Sequence, residues 1–430
     1  MGETYREYIQ ELEDYKKIKY IEKEVNSEFD ISKCLYHDQG TPIIFKKIKG
    51  FGDTSVIGNL CPTRQYLSSA LKVQEEDLVD SIVNAFLKPR KTEHILKSGP
   101  WVEERPALDK LPVPKYYEKD GGAYLTSSIV VSRFPNSEEE NLSIHRIMIL
   151  DRERWVIRIL PRHLSKILDE KEGRTEIAVL IGVHPAIFLA AALSADYGMS
   201  EYWIANSLLG GKMELVKMES GLKVPKGTEI VLLGTIDSQK RKNEGPFVDI
   251  TGTYDVIRKE PIISFERMLL PNLKTTFQAL LPASKEHKLF MGIPQEIKIK
   301  LNLKKLGIKV CRINLSEGGC AYFHCIISIK KKNNDDGKKV IDGILNIAHS
   351  IKLVIVVDED IDPYNYEMID WALATRFQAN RGLVDVHNQH GSSLDPSSFK
   401  TAITSKVGID ATLPLNIERE RFKKARIPWV

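Results

Sequence analysis

The segment 177–195, IAVLIGVHPAIFLAAALSA, constrains the fold more than any other part of the chain. It runs for 19 residues without a charged side chain, close to the length a membrane-spanning helix needs. A single helix is nevertheless excluded. Pro185 lacks an N–H and its ring collides with the carbonyl four residues back, and Gly182 and His184 interrupt the apolar run just before it. The segment therefore reads as a buried strand, a tight turn over 182–185 and a buried helix. Both elements must be covered by other parts of the chain.

The rest of the chain supplies that cover. Tyr5, Tyr8, Ile9, Leu12 and Tyr15 recur at helical spacing, so an amphipathic helix opens the sequence. Residues 18–25 and 43–48 read as strands and 71–87 as a helix. A proline-rich passage, 89–114, reads as a surface linker and marks a first boundary. From 123 to 257, short runs rich in β-branched residues (124–132, 145–150, 155–160, 177–183, 229–233) are interrupted by helical stretches at 164–170, 186–193 and 200–208. This predicts a barrel-like sheet with inserted helices. In the last third, strands at 297–303, 322–329 and 353–357 and helices at 338–350 and 366–375 give an α/β pattern, with NNDDG as a turn. A chain of 430 residues is long for one core and predicts two or three domains. The divisions expected are 1–110, 111–295 and 296–430.

Charge and motifs remove several classes of function. The 62 basic and 58 acidic residues leave a net charge of +4, too small an excess to mark a nucleic-acid-binding face, although it suits an anionic substrate or cofactor. Cys34, Cys61, Cys311, Cys320 and Cys325 include no C-x-x-C pair and read as reduced thiols of a cytoplasmic protein. The charged opening MGETYREYIQ has no apolar signal region. The common nucleotide fingerprints and the G-x-S-x-G nucleophile elbow are absent. Asp358, Asp360 and Asp362 alternate as in a calcium loop, but Pro363 and Ile369 stand where that loop needs Gly and Glu. That stretch reads instead as a strand end followed by a helix cap.

Three segments place polar groups within or beside apolar, strand-like sequence: NLSIHR (141–146), PRH (161–163) and EGPFVD (244–249). Buried polar groups need partners, so these residues should converge. They also carry a resemblance. GNLCPTR (58–64), DGGAYLTSSIVV (120–131), NLSIHR, the RH of 162–163, MSEY (199–202), VPKGTEIVLLG (224–234), EGPFVDITG (244–252), DIDPYNYEMIDWALATR (360–376) and SKVGIDAT (405–412) follow one another as in the UbiD decarboxylases. The chain resembles that family along nearly its whole length.

The resemblance implies a multidomain α+β and α/β fold, with a central split β-barrel that binds flavin between an N-terminal and a C-terminal α/β domain. It implies prenylated FMN held through a divalent ion, Mn2+ or Mg2+, on Asn141, His163 and Glu201. A K+ ion is implied nearby, on main-chain carbonyls around Leu142 and 190–193. Further cofactor contacts are implied at Ser143, Ile144, His145, Arg146, Arg162 and Lys406, the last meeting the cofactor phosphate. The implied catalytic trio is Arg146, Glu244 and Asp249. Arg146 would keep Glu244 ionised and orient the substrate carboxylate, and Asp249 would donate the proton. Asp249 departs from the Glu common in the family and reaches one methylene less far. Phe277 and Leu281 are expected to line the substrate.

The implied reaction is non-oxidative loss of CO2 from an α,β-unsaturated acid through a covalent adduct with the prenylated flavin. Such a cofactor is needed because the carbanion left on a vinylic carbon has no adequate electron sink among side chains. The compact length, Asp249 and the basic balance point to trans-anhydromevalonate 5-phosphate, which would give isopentenyl phosphate in an archaeal mevalonate pathway. An aromatic or acrylic acid, of the 4-hydroxybenzoate or cinnamate kind, and a non-catalytic flavin-binding protein stand as alternatives. A flavin prenyltransferase is expected to supply the cofactor. A homo-oligomer, dimer or hexamer, is expected, with 408–430 packing on a neighbour. Neither nucleic acid nor membrane is expected as a partner.

Overall fold

The computed structural model describes residues 3–52, 54–106, 110–152, 154–398 and 402–425. They form two compact units, Met1–Phe290 and Met291–Val430. In the first unit the expected opening helix is α1 (Tyr5–Asp14), started by a reciprocal capping box between Thr4 and Glu7, with Tyr5, Tyr8, Ile9 and Leu12 buried. Three short strands, β1 (Lys19–Ile21), β2 (Ile43–Phe45) and β3 (Ser55–Gly58), share a sheet with a later one, Thr276–Ala279. The helix expected over 71–87 is instead two helices, Arg64–Leu71 and Leu78–Leu87. Lys72, at φ +58°, ends the first in a left-handed cap. The apolar spacing runs on across that break, so periodicity alone reads through it. The proline-rich passage carries two short strands, His94–Leu96 and Trp101–Glu104, and its residues 107–109 lie outside the described ones.

The large sheet is built from β4 (Tyr124–Arg133), β5 (Glu140–Ile149), β6 (Arg154–Ile157), β7 (Arg174–Ile181), β8 (Ile230–Glu244) and β9 (Arg258–Pro271). β4 pairs with β5 and β7, β5 with β6, β6 with β9, β9 with β8, and β8 with β7, all antiparallel. The pairings close into a ring, and Trp101–Glu104 adds to it along β9. The runs expected at 145–150 and 229–233 are parts of longer strands. β5 takes in all of NLSIHR, and β8 continues to Glu244. Polar residues interrupt the apolar signal there, while the backbone ladder, which is indifferent to side-chain polarity, continues.

Three helices are inserted: α2 (His163–Glu170), α3 (Pro185–Ala192) and α4 (Glu201–Leu208). β7 and α3 are the two halves of the apolar segment. Gly182 turns between them at φ +71°, and a Cβ there would lie 2.6 Å from the Cβ of Glu229. His184 caps α3, and residues 185–191 are all buried. All three helices pack against β5.

A long helix, α5 (Lys285–Lys305), covers the run 297–303 that reads as a strand in sequence. The alternation IKIKLNL mimics a strand, but Ile293 with Ile297, and Ile299 with Leu303, are buried pairs four residues apart. That is the spacing a helix buries. The second unit's sheet has the order β10 (Lys309–Leu315), β11 (His324–Lys330), β12 (Leu353–Asp358), β14 (Ile403–Asp410), β13 (Leu383–His390). β11, β12 and β14 run parallel, and the two edge strands antiparallel. Helices α6 (Asp336–Ile347) and α7 (Tyr366–Arg376) stand where sequence places them.

The aspartates of the calcium-like run are ion-pair partners. Asp358 and Asp360 accept from Arg376 at 2.9 and 2.6 Å, and Asp362 accepts from Arg312 at 2.9 Å. The cap of α7 falls on Asn365. Of the tail expected to pack on a neighbour, 426–430 lie outside the described residues. Among the described residues no helix is long and apolar enough to cross a membrane.

Ile327 is fully buried at the centre of the second unit's core. Ile327→Ala is expected to lower the unfolding free energy by about 2–5 kcal/mol in equilibrium denaturation. A loss below about 1 kcal/mol would contradict a packed β11.

Candidate active site

The guanidinium of Arg146, near the end of β5, meets three carboxylates. Glu244 takes a bidentate pair, Nε to Oε1 and Nη2 to Oε2, each at 2.9 Å. Asp249 Oδ2 accepts from Nη1 at 2.6 Å, and Asp255 Oδ2 accepts from Nη2 at 2.9 Å. Four of the five N–H groups of an arginine are thus donated to carboxylates. Glu244 is fully buried and also accepts from the Tyr124 hydroxyl at 3.2 Å. The Phe247 ring lies 4.7 Å below the guanidinium. Burial works against the Arg146 charge, but Glu244, then Asp249 and Asp255, outweigh it and raise its pKa. Burial likewise pushes Asp255 up, while Arg258 and Arg146 hold it below the ordinary carboxylate range.

The local backbone explains why these groups meet. Glu244 ends β8. The chain then turns at Gly245, at φ +99°, and pairs Phe247 with Asp255 and Val248 with Tyr254 in a short antiparallel ladder. Asp249 sits in the turn of that ladder, accepting from Gly252 N–H through its carbonyl at 2.8 Å. Gly121 N–H donates to Pro246 at 2.8 Å, and a Cβ on Gly121 would fall 2.3 Å from the Gly245 carbonyl oxygen. The DGG motif is therefore a close approach of two backbones.

Asn141, Ser143 and His145 share the face of β5 opposite to that of Arg146, because side chains alternate along a strand. Their hydrogen bonds have a defined direction. His145 Nδ1 lies 2.8 Å from the Arg158 carbonyl, so it must donate, and Nε2, 2.9 Å from Ser143 Oγ, must accept. Burial lowers the His145 pKa to about 4, so the ring is neutral. Ser143 then donates to His145 and accepts from Asn141 Nδ2 at 3.2 Å, which leaves Asn141 Oδ1 as a free oxygen donor. Glu201, the first residue of α4, is 1% exposed, and its carboxylate accepts from Leu142 N–H at 2.8 Å. Burial raises its pKa to about 8. His163 opens α2 beside the Phe134 and Tyr197 rings, and its pKa is lowered by burial, then by Lys166 and Arg162.

An amide oxygen, a neutral imidazole and a buried carboxylate relieved only by backbone N–H groups suit a hard divalent ion. Among the described residues no three His, Cys, Asp or Glu side chains cluster as a metal site.

Of the other residues singled out in sequence, Ile144 is half-buried on β5 and Arg162 is exposed at the start of α2. Phe277 and Leu281 are buried in the main core of the first unit. Lys406 lies in the second unit on β14. It is 2% exposed, its ammonium makes one 3.5 Å contact to the Leu345 carbonyl, and burial lowers its pKa.

Sequence reading missed Tyr124, Asp255 and His287. His287 Nδ1 accepts from Ala283 N–H at 3.1 Å. Burial lowers the His287 pKa, with Asp249 opposing and Lys288 and Arg146 adding to the effect. Asp255 lies six residues beyond Asp249, outside the motif 244–252, and its pairing with Phe247 brings it back to Arg146.

Glu201 gives a stability test with a defined sign. Its folded pKa of about 8 lies above the unfolded value, so the folded state loses stability as pH rises from the unfolded pKa through about 8. Glu201→Gln is expected to stabilise the protein at pH above neutrality, by a few kcal/mol at most. Thermal melts of both proteins across pH 5–9 check it. Gly121→Ala is expected to cost about 1–3 kcal/mol and to lower activity by displacing Gly245 and with it Glu244, as measured by denaturation and by kcat.

Three family models of 3-octaprenyl-4-hydroxybenzoate carboxy-lyase match consecutive parts of the chain. They are its N-terminal domain over 9–86, its Rift-related domain over 91–284 and its C-terminal domain over 288–411. The anhydromevalonate phosphate decarboxylase of Methanocaldococcus jannaschii is 41% identical over 413 residues, covering 94% of this chain and 96% of that protein. The protein of the same name from Methanosarcina mazei is 36% identical over 432 residues, covering 99% of each. Among solved structures, the UbiD-class enzyme HmfF from Pelotomaculum thermopropionicum, in complex with FMN, superposes with a TM-score of 0.94 at 33% identity, over 99% of this chain and 97% of that one. An evolved dimeric form of HmfF, in complex with prenylated FMN, gives 0.90 at 31% identity, over the same shares. The chain belongs to the UbiD family and is a carboxy-lyase, with a multidomain α/β fold around a large antiparallel sheet.

Proposed function

We propose that this protein removes CO2 from trans-anhydromevalonate 5-phosphate, releasing isopentenyl phosphate, with prenylated FMN as its cofactor. The observation that carries the reading is the buried cluster in which Arg146 holds Glu244 bidentately and Asp249 at 2.6 Å. The archaeal relatives named for this activity, and the neighbours with FMN and prenylated FMN bound, support it. We read the ring of β4 to β9 as the split barrel of the family, and 1–110, 111–295 and 296–430 as its three domains.

Prenylated FMN, when bound, supplies the electron sink that no side chain offers for a vinylic carbanion. Asn141 Oδ1, His163 and Glu201 would hold a divalent ion, Mn2+ or Mg2+, with K+ near Leu142 and the C-terminal end of α3, where helix carbonyls collect negative charge. Lys406 suits an anion contact, since its buried ammonium has a single long acceptor. Arg146 and Tyr124 hold Glu244 in one geometry and keep water from it. Asp249, the least enclosed of the carboxylates on Arg146, is the proton donor to carbon. A flavin prenyltransferase would supply the cofactor, and a homo-oligomer is the working state.

The test is CO2 release from trans-anhydromevalonate 5-phosphate by protein co-expressed with a flavin prenyltransferase in the presence of Mn2+ and K+. Release is expected. Bound prenylated flavin without release, but with release from an aromatic acid, would reject the substrate. Glu244→Gln is expected to lower kcat by about 10²–10⁴-fold while the flavin absorption spectrum stays unchanged. Loss of the flavin itself would assign Glu244 to cofactor binding.

A further inference from the structure

We propose that the cleft between the end of β4, the turn that leads from α2 to β7 and the hairpin turn over 218–221 is a second anion site, built for the phosphate group of a small phosphate monoester. The proposal does not depend on the decarboxylase reading.

The cleft has a volume of about 240 Å3, and three cations line it, Arg133, Lys171 and Arg174. The local backbone brings them together. Arg133 is the last residue of β4. Lys171 caps the C-terminal end of α2. The chain then turns through Glu172 and Gly173, at φ +54° and +85°, and Arg174 N–H donates to the Lys171 carbonyl at 3.1 Å. Ser220 and Leu222 come from the turn of a hairpin whose strands, Glu214–Lys217 and Lys223–Pro225, pair antiparallel. Gly221, at φ +80°, lies between them, and a Cβ there would fall 2.4 Å from Arg133 Nη2. Glycine is what leaves the guanidinium its place.

The protein itself satisfies these cations poorly. Arg133 donates from Nη2 to the Ser220 carbonyl at a long 3.5 Å, and its buried Nε has no acceptor among the described residues. Lys171 Nζ donates to the Arg133 carbonyl at 2.9 Å and to Thr175 Oγ1 at 3.3 Å, both neutral oxygens. Among the described residues none of the three cations forms an ion pair. Neighbouring carboxylates are engaged elsewhere. Glu140, across the ladder from Arg133, pairs with Lys223 at 3.1 Å. Asp237, across from Arg174, pairs with Lys240 at 3.3 Å, and Glu219 pairs with Arg267 at 2.7 Å. Glu172 is exposed in its turn and does not line the cleft, whereas Glu176 does. Burial and then Arg133 lower the Lys171 pKa, with Glu176 opposing them. Three lining cations against one lining carboxylate leave a surplus of two positive charges. A phosphate monoester, close to a dianion at neutral pH, cancels that surplus; a carboxylate cancels half of it.

Size and lining restrict the ligand further. The cleft is smaller than the roughly 300–1,000 Å3 that drug-sized ligands occupy. Among the described residues no aromatic side chain lines it for a base to stack on, and Leu222 is its one apolar wall. Recognition is therefore of the phosphate alone. The guanidinium fork of Arg133 suits two of its oxygens, Lys171 and Arg174 add charge, and the hydroxyls of Thr175 and Ser220 can donate. None of these residues belongs to the Arg146 cluster or to the set Asn141, His163 and Glu201.

The experiment is calorimetric titration of the flavin-loaded protein with methyl phosphate at low ionic strength, with inorganic phosphate and acetate titrated in parallel. Flavin loading keeps the cofactor's own phosphate contacts filled. One methyl phosphate per chain is expected to bind, inorganic phosphate alike, and acetate at least about tenfold more weakly because it cancels one charge fewer. Arg133→Gln is expected to weaken methyl phosphate about 10- to 100-fold, the loss of a charge-assisted hydrogen bond. The exposed Arg174→Gln is expected to weaken it about two- to fivefold. Glu176→Gln should tighten it by about the same factor, a change of sign that a damaged fold cannot give. Lys217→Gln, which removes an exposed charge from the same hairpin outside the cleft, should leave it unchanged. Absence of binding to the native protein, or binding that Arg133→Gln and Glu176→Gln leave unchanged, overturns the proposal. Acetate bound as tightly as methyl phosphate overturns the phosphate assignment. Inorganic phosphate bound at least about tenfold more tightly than methyl phosphate overturns the monoester and gives the cleft to free phosphate.

Discussion

A single buried guanidinium organises the site of the first unit. Arg146 gathers Glu244 from the end of β8, Asp249 from the turn that follows and Asp255 from the strand that returns. None of these charges is tolerable alone at such burial, because desolvation of an unpaired carboxylate or guanidinium costs several kcal/mol. Together they impose one geometry on three chain segments. The pairing of Phe247 with Asp255, the close passage of Gly121 over Gly245 and the hydroxyl of Tyr124 all serve to hold that geometry.

The strand that carries Arg146 also separates two chemistries. Alternation along β5 sends Asn141, Ser143 and His145 to one face and Arg146 to the other. On the first face a directed chain of hydrogen bonds ends in the free amide oxygen of Asn141. α2 and α4, which begin at His163 and Glu201, pack against that strand. One side thus carries a directed row of neutral polar groups and the other a cluster of paired charges.

The buried strand, turn and helix of 177–195 were legible because Pro185 and Gly182 act locally, through a missing N–H and a positive φ. The helices at 164–170, 186–193 and 200–208 were legible for a similar reason, since apolar spacing and caps are short-range. Arg146, Glu244 and Asp249 stand in contact, as expected of polar groups set in apolar sequence. Reading failed where local pattern competes with packing. IKIKLNL alternates like a strand, yet its isoleucines bury as helical pairs. NLSIHR reads as one polar patch, yet it is divided between two faces of β5.

What the sequence by itself determined is the set of groups available and their local order: a cation and carboxylates embedded in apolar sequence, and a strand broken by proline. Which of them meet was decided by the tertiary structure alone. Asp255 and Arg146 are 109 residues apart, and no periodicity, propensity or cap in either segment encodes that contact. It exists because the folded chain brings Arg146 of β5 to Glu244 at the end of β8 and to the short ladder that follows it, and because a buried charge, once there, must find its opposite.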